Sequence, residues 1–507
     1  MSEKKGSSLR IGWASRDVTP ERPVLLRGQF YARVSEGIKD PITVTALALE
    51  SARDGGSPGQ AVLVSCDYVA ISDALESAVR ERLRESLPGL DSRNVFLNAT
   101  HTHTGPDTRL AASEQARILP DCPGLSEEDL GVMGRSEYLS FAAAQIADAV
   151  TEAWRTRAPG GIGFGVGHAV VGLNRRMSYF NGETRMYGKT DDPEFSHVEG
   201  GEDHAVNVLC TWDAKRNLTG LAVNVACPAQ VTEELYEISA DYWHETRVEL
   251  RRRLGDHLFV LPQCSAAGDQ SPHVLVGEAA EERMWKLAGR TQRQDIGVRI
   301  ADAVTAILPF LEKDIDWTPA FAHRVDAVEL PVRRLSEEDV SEARAEAEKY
   351  RLRYEALRKD LEAHPEKRRT PRWYRDITAA YSGMLWNRRV EKHFISRKTQ
   401  PIRAVQVHVV RLGDVAFVTN PFEYYLDFGM QIKARSKAVQ TFVVQLAAGD
   451  VGGYLPTARS TAGHGYGSVP ASTMIGPEGG RLLAQRTVEI IAELMEASRK
   501  RSSASVE

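Results

Sequence analysis

Strand-like apolar runs and helix-periodic segments alternate from one end of this chain to the other, and that alternation limits the folds open to it. The run AVLVSCDYVAIS at 61–72 leads straight into the helix-periodic DALESAVRERLRESL. RNVFLNAT (93–100) reads as another strand, and the Ala- and Ile-rich stretch 136–157 as a helix. HAVNVLCTW and GLAVNVACP read as neighbouring strands joined by the turn DAKRNLTG. DYWHETRVELRRRLG reads as a helix stopped by Gly255, and HLFVLPQC as a further strand. AVQVHVVRLG and DVAFVTNP form a hairpin through Gly413–Asp414. Such mixing predicts an α/β (mixed α+β) fold rather than a repeat array, with one large domain over 1–334 and 401–500.

Residues 335–400 stand apart as a helical-hairpin insertion. Val340, Ala343, Ala347, Tyr350, Tyr354, Leu357 and Leu361 follow one another in steps of three and four, which draws one stripe along a helix. Ser336 and Asp339 resemble a capping box at its start. HPEKRRTPRWYRD breaks the pattern, and ITAAYSGMLWNRRVEKHF reads as a returning helix. The pair is either a structural prop or dimer arm, or a lid that brings Trp373, Tyr374 and Trp386 to a substrate. The sequence leaves a homo-oligomer open.

The net charge is -5, and Lys and Arg are scattered rather than collected, so a nucleic-acid partner is excluded as an expectation. The five cysteines, Cys66, Cys122, Cys210, Cys227 and Cys264, are odd in number and form no CxxC pair, which fits a reducing compartment. MSEKKGSSLRIGW has no apolar segment of the secretory kind, and no apolar run reaches the roughly 18 to 20 residues that span a bilayer. A cytoplasmic protein without a transmembrane segment is expected; a chain whose leader had been trimmed would read the same.

Four stretches carry candidate chemistry. Asn98-Ala-Thr-His101-Thr-His103-Thr-Gly-Pro106 follows a strand, and alternate side chains of an extended segment share one face, so the two imidazoles can meet. Neutral imidazole is the commonest protein ligand for zinc, and threonines between the rings can orient them. Gly268-Asp-Gln-Ser271-Pro272 follows the strand HLFVLPQC; Ser271 is a nucleophile, an oxyanion donor or a turn residue. Asn420-Pro-Phe-Glu423 follows another strand, where a carboxylate can ligate a metal or serve a helix N-terminus. Tyr454 lies in the glycine loop before Pro456. Asp241 and Asp269 read as structural.

In this order the motifs resemble those of the neutral, non-lysosomal ceramidases. His101 to Pro106 matches that family's His-Thr-His-(Ser/Thr)-Gly-Pro, and Gly268 to Pro272 its Gly-Asp-x-Ser-Pro. Asn174-Arg175, Pro421 to Glu423 and Gly453 to Pro456 match its Asn-Arg, Pro-x-Glu and Gly-Tyr loop, and IGWASRDVTP and IKDPITVTALALES match its opening. The resemblance implies a ceramidase-like catalytic domain and a zinc-dependent amidase, acting on a small or lipid-like N-acyl substrate through metal-activated water. It implies zinc on His101, Glu423 and Tyr454, with His103 and Arg175 at the reacting group and Ser271 near the water.

The sequence departs from that pattern. The family's second zinc histidine, in a stretch like Ala-Cys-His-Pro, is absent from Ala226-Cys227-Pro228-Ala229-Gln230. Cys227 is the candidate replacement, since thiolate binds zinc well, with His204 and His244 as alternatives. Tyr466 is near, but off the spacing of, a second family tyrosine. The resemblance implies a C-terminal β-sandwich as well, which is not expected from the sequence here. A metal-assisted hydrolase of a sugar or ester, and a metal-free binding protein, stay open as readings.

Overall fold

The computed structural model describes residues 9–53, 56–110, 118–447, 449 and 453–504. Its frame is a pair of stacked sheets. The larger contains strands β1 (Leu9–Asp17), β2 (Thr43–Arg53), β3 (Gly56–Cys66), β4 (Val95–Ala99), β5 (Ala158–His168), β6 (Ala205–Asp213), β7 (Leu218–Val225) and β8 (Phe259–Cys264). Their spatial order is β8-β7-β6-β5-β1-β2-β3-β4. The β3–β4 and β7–β8 pairs are parallel and the rest antiparallel. The second sheet runs β9 (Phe321–Pro331), β10 (Ile402–Leu412), β11 (Val415–Thr419) and β12 (Gln440–Val444) in that order.

Period-two alternation explains the stacking. In β2, Leu47 and Leu49 face the second sheet and pack with Val410, Leu412, Phe417 and Phe442. Ala46 and Ala48 face the other way, onto helices α1 (Asp73–Ser86) and α2 (Arg135–Thr156). Both faces of the strand are buried there, and its middle, Ala46 to Leu49, is apolar without a break. Helices α3 (Tyr242–Leu254) and α4 (Gln292–Leu311) cover β6 and β7, and α7 (Leu426–Arg435) and α8 (Pro477–Ala504) cover the second sheet. The layers are therefore helix, sheet, sheet, helix.

Between β9 and β10 stand helices α5 (Glu337–Ala363) and α6 (Arg375–Ser396). They pack on each other through Tyr354 against Tyr381, with ring centroids 5.6 Å apart. Ser336 and Asp339 close the capping box at the start of α5. Among the described residues no helix is long and apolar enough to cross a membrane.

Candidate active site

The ends of the sheet strands bring the site together. Strand β4 stops at Ala99, and His101 then takes a left-handed backbone, φ 66°, which costs a non-glycine residue about 1–3 kcal/mol. The turn, not extended alternation, makes the two imidazoles meet. Their Nε2 atoms are 3.4 Å apart. His101 Nδ1 lies 2.6 Å from the Val69 carbonyl and donates to it, which fixes the ring and turns Nε2 into the site. The threonines do not orient the rings: Thr102 and Thr104 both donate to the Ser239 carbonyl. Gly28 lies against His103, where an added Cβ would come within 2.6 Å of the imidazole.

Glu423 and Tyr454 face one another on two short paired strands, Glu423–Tyr424 and Tyr454–Leu455. Glu423 Oε2 is 3.3 Å from His101 Nε2. Burial alone would raise this carboxyl; His101 and Arg175 outweigh it and hold the group below its ordinary range. Arg175 donates to the Tyr454 hydroxyl at 3.1 Å and to the Gly268 carbonyl at 2.9 Å, and stands 4.0 Å from Glu423. Asp269 anchors this corner, accepting from the Leu426 N–H at 2.9 Å and from Asn174 at 3.1 Å.

The loop after β7 supplies residues that the motifs did not single out. Gln230 Nε2 lies 2.8 Å from His103 Nε2, and Glu233 Oε2 lies 3.3 Å from His103 Nδ1. The other Glu233 oxygen is 3.0 Å from His273 Nε2. Burial works to raise the Glu233 carboxyl, but hydrogen bonds from the two histidines carry it well below the usual range. Burial brings His103 down to about 4, against the pull of Glu233, so the ring is neutral at neutral pH. Asp241 holds this loop by accepting from the Val231 and Thr232 N–H groups. Arg33 ties it to the histidine turn: buried entirely, it donates to the carbonyls of Glu233, Leu235, Arg27 and His103. The one sequence signal for Gln230 and Glu233 is their position just past a strand end, where side chains are presented.

Three of the sequence expectations need correction. Cys227 does not reach the site: it sits in the apolar cluster of Val171, Val225 and Tyr242, its sulfur directed at the Val171 and Pro228 carbonyls. Burial pushes its thiol well above the ordinary range, so it is no thiolate. His204 pairs instead with Glu202 at 3.2 Å, and neither His204 nor His244 lines the cavity before His101. Ser271 is fully buried and serves the turn: its hydroxyl accepts from Tyr187 at 3.3 Å and from the His273 N–H at 3.1 Å.

These placements bear on zinc. Among the described residues no group of three or more His, Cys, Asp or Glu side chains is arranged to hold a metal ion. Among the donors left from the expected set, His101, Glu423 and Tyr454, two face a cation: Arg175 stands 3.1 Å from the Tyr454 hydroxyl and 4.0 Å from Glu423, a positive charge at the oxygens a metal would need, and His103 Nε2 accepts from the Gln230 amide. The set does not fit a four-ligand zinc site.

In front of the cluster lies a cavity of about 260 Å³ lined by His101, His103, Glu423 and Tyr454. Helix α6 contributes Leu385 and Trp386 to its wall. Phe30, Trp386 and Tyr466 touch one another edge-on or tilted, with centroids 5.5–6.1 Å apart, and Tyr466 lies against Tyr454 at 5.3 Å. Trp373 and Tyr374 do not line the cavity; they join a cluster with Leu25, Ile118 and Leu361.

No protein-family model and no curated protein matches the chain. Solved structures do, among them the following two. The neutral ceramidase from Pseudomonas aeruginosa superposes with a TM-score of 0.66 at 17% identity, over 97% of this chain and 75% of that one. A structure described as ceramidase complexed with C2 also gives 0.66 and 17%, over 97% and 76%. The stacked sheets, with the histidine turn and the Glu423–Tyr454 pair at their strand ends, are built on the neutral-ceramidase fold.

Proposed function

We propose that the protein is a hydrolase that cleaves the amide of a small or lipid-like N-acyl substrate with its own side chains. One observation carries this reading: a neutral imidazole oriented by a carboxylate, His103 with Glu233, lines a cavity with apolar and aromatic walls, and Gln230 links it to the fixed cation Arg175. The ceramidase-like fold supports amide chemistry, and the likeness by itself extends only to the fold.

In the proposed reaction the acyl arm lies against Phe30, Leu385 and Trp386. His103 donates its Nδ1–H to Glu233, and a water molecule that takes the place of the Gln230 amide at Nε2 passes its proton to that nitrogen. The water oxygen bonds to the carbonyl carbon, and the oxygen that gains charge is stabilised by Arg175. As the C–N bond breaks, His103 returns the proton to the departing amine. Glu233 steadies the transient imidazolium, as a carboxylate does in hydrolytic triads. No step passes through zinc, because the donor set does not fit it.

The test is product analysis. Purified protein is incubated with N-acyl amides, acyl esters and aryl glycosides of matched size. Release of fatty acid and amine from the amides is the expected result. Cleavage of the glycosides with the amides untouched would replace this reading with that of a sugar hydrolase on the same scaffold.

A further inference from the structure

The helical insertion forms one side of the cavity before His101, and the way it is held bears on the size of substrate admitted. Four rings make a row along this wall: Tyr454 beside Glu423, then Tyr466, Trp386 and Phe30. Phe30 is exposed and stands at the outer end. Trp386, carried by α6, occupies the middle, in contact with both Tyr466 and Phe30.

Ties along α6 fix this wall. At its N-terminal end the Ala32 N–H donates to the Thr378 hydroxyl at 3.0 Å and the Val34 N–H to the Tyr374 hydroxyl at 3.2 Å, which strings the segment carrying Phe30 to the helix. Arg372 adds an ion pair with Glu36 at 2.6 Å. Toward the C-terminal end, Val390 packs with Val340 and Ala343 of α5 and with Ala471, which itself lines the cavity. Between these ties Gly383 lets α6 lie directly on the Tyr350 ring of α5, where an added Cβ would come within 2.6 Å. Helices packed this closely transmit strain instead of yielding to it.

The space left in front of the wall is small. An apolar cavity of about 150 Å³ accepts one benzene ring, so the 260 Å³ here takes about ten non-hydrogen atoms. Cavities that bury drug-sized ligands run from about 300 to 1,000 Å³. A two-chain amide has several times as many atoms as this one holds. Building on the hydrolase reading above, we infer that the substrate is a short-chain N-acyl compound, its single acyl arm about six carbons long once the amide atoms are seated, and that Trp386 sets this length.

The probes are the N-methylamides of butanoic, hexanoic, octanoic and decanoic acid, with hydrolysis and calorimetric binding measured on the full chain. Each buried methylene is worth about fourfold, so affinity and kcat/KM should rise about tenfold or more from butanoyl to hexanoyl and by less than about twofold from octanoyl to decanoyl. Trp386→Ala opens the wall and should carry the rise on, with decanoyl about tenfold better than octanoyl. Phe30→Ala, which shortens an exposed side chain of the same wall, gives the same reading should the first variant fold poorly. A rise that continues to decanoyl in the wild type, the wild-type plateau retained in the folded variant, or no binding of any of the amides overturns the inference. A length plateau in binding without any turnover contradicts the hydrolase reading alone; turnover that climbs with length throughout contradicts this inference alone.

Discussion

Glu233 Oε2 stands 3.3 Å from His103 Nδ1, while the other oxygen of the same carboxylate is 3.0 Å from His273 Nε2. One half-buried anion thus orients the imidazole that faces the cavity. Replacing it by an amide keeps the shape but lets Gln present either a donor or an acceptor to His103. Glu233→Gln should lower kcat on an N-acyl substrate by about 10²-fold or more, with KM changed far less. Unaltered kcat would remove Glu233 and His103 from the proton path.

Arg33 links two parts of the site. It donates to the Glu233 and Leu235 carbonyls at 2.8 and 2.7 Å, and on its other side to the carbonyls of Arg27 and His103. Burial pulls its guanidinium down to about 10. Arg33→Met removes donors from four carbonyls and should cost about 3 kcal/mol in urea unfolding, with a larger relative loss of activity than of stability. Arg33→Lys should recover part of both. A methionine variant as stable and active as wild type would contradict this linkage.

Stability should fall on acidification because of a histidine pair remote from the site. His408 is buried, and its Nδ1 lies 3.1 Å from Nε2 of the half-buried His323. Desolvation, joined by His323 and Arg80, holds His408 well below the ordinary histidine value; desolvation brings His323 to about 4. The unfolded chain therefore binds more protons than the native one from about pH 6.5 down to about 4, so stability rises with pH across that window and is lost as pH falls. The slope contributed by His408 is at most about 1.4 kcal/mol per pH unit. His408→Gln should flatten the curve of unfolding free energy between those pH values; an unchanged slope contradicts the assignment.

Cys227 lies in the apolar cluster beneath the site. Cys227→Ala should leave activity within about twofold of wild type and cost about 1–2 kcal/mol of stability from lost packing. Abolished activity in a stably folded variant would return the thiol to the chemistry.

The strand runs and their partners are legible in the sequence because apolar period decides them. RNVFLNAT contains Val95–Ala99, HLFVLPQC contains Phe259–Cys264, and the hairpin turns at Gly413, φ 62°. His101, Glu423 and Tyr454 are legible because each follows a strand end or sits in a glycine turn. Cys227 is misread for a reason the same rule contains: Val225 and Cys227 are two residues apart and share the apolar cluster, so the sulfur follows the core face. Gln230 and Glu233 escape because a loop between β7 and α3 carries them, held by Asp241, and loop paths have no period. Arg33 escapes because its partners are carbonyls, which leave no mark in a sequence.

The central claim is that His103, Glu233 and Arg175 perform the hydrolysis without a resident zinc ion. Metal content decides it most directly. The protein is expressed with ample zinc, passed through desalting and analysed by plasma mass spectrometry, and its amide hydrolysis is measured before and after EDTA. The account predicts zinc far below one ion per chain, the same in His101→Ala, and activity indifferent to EDTA. One zinc per chain, lost together with activity on chelation or in His101→Ala, would contradict it.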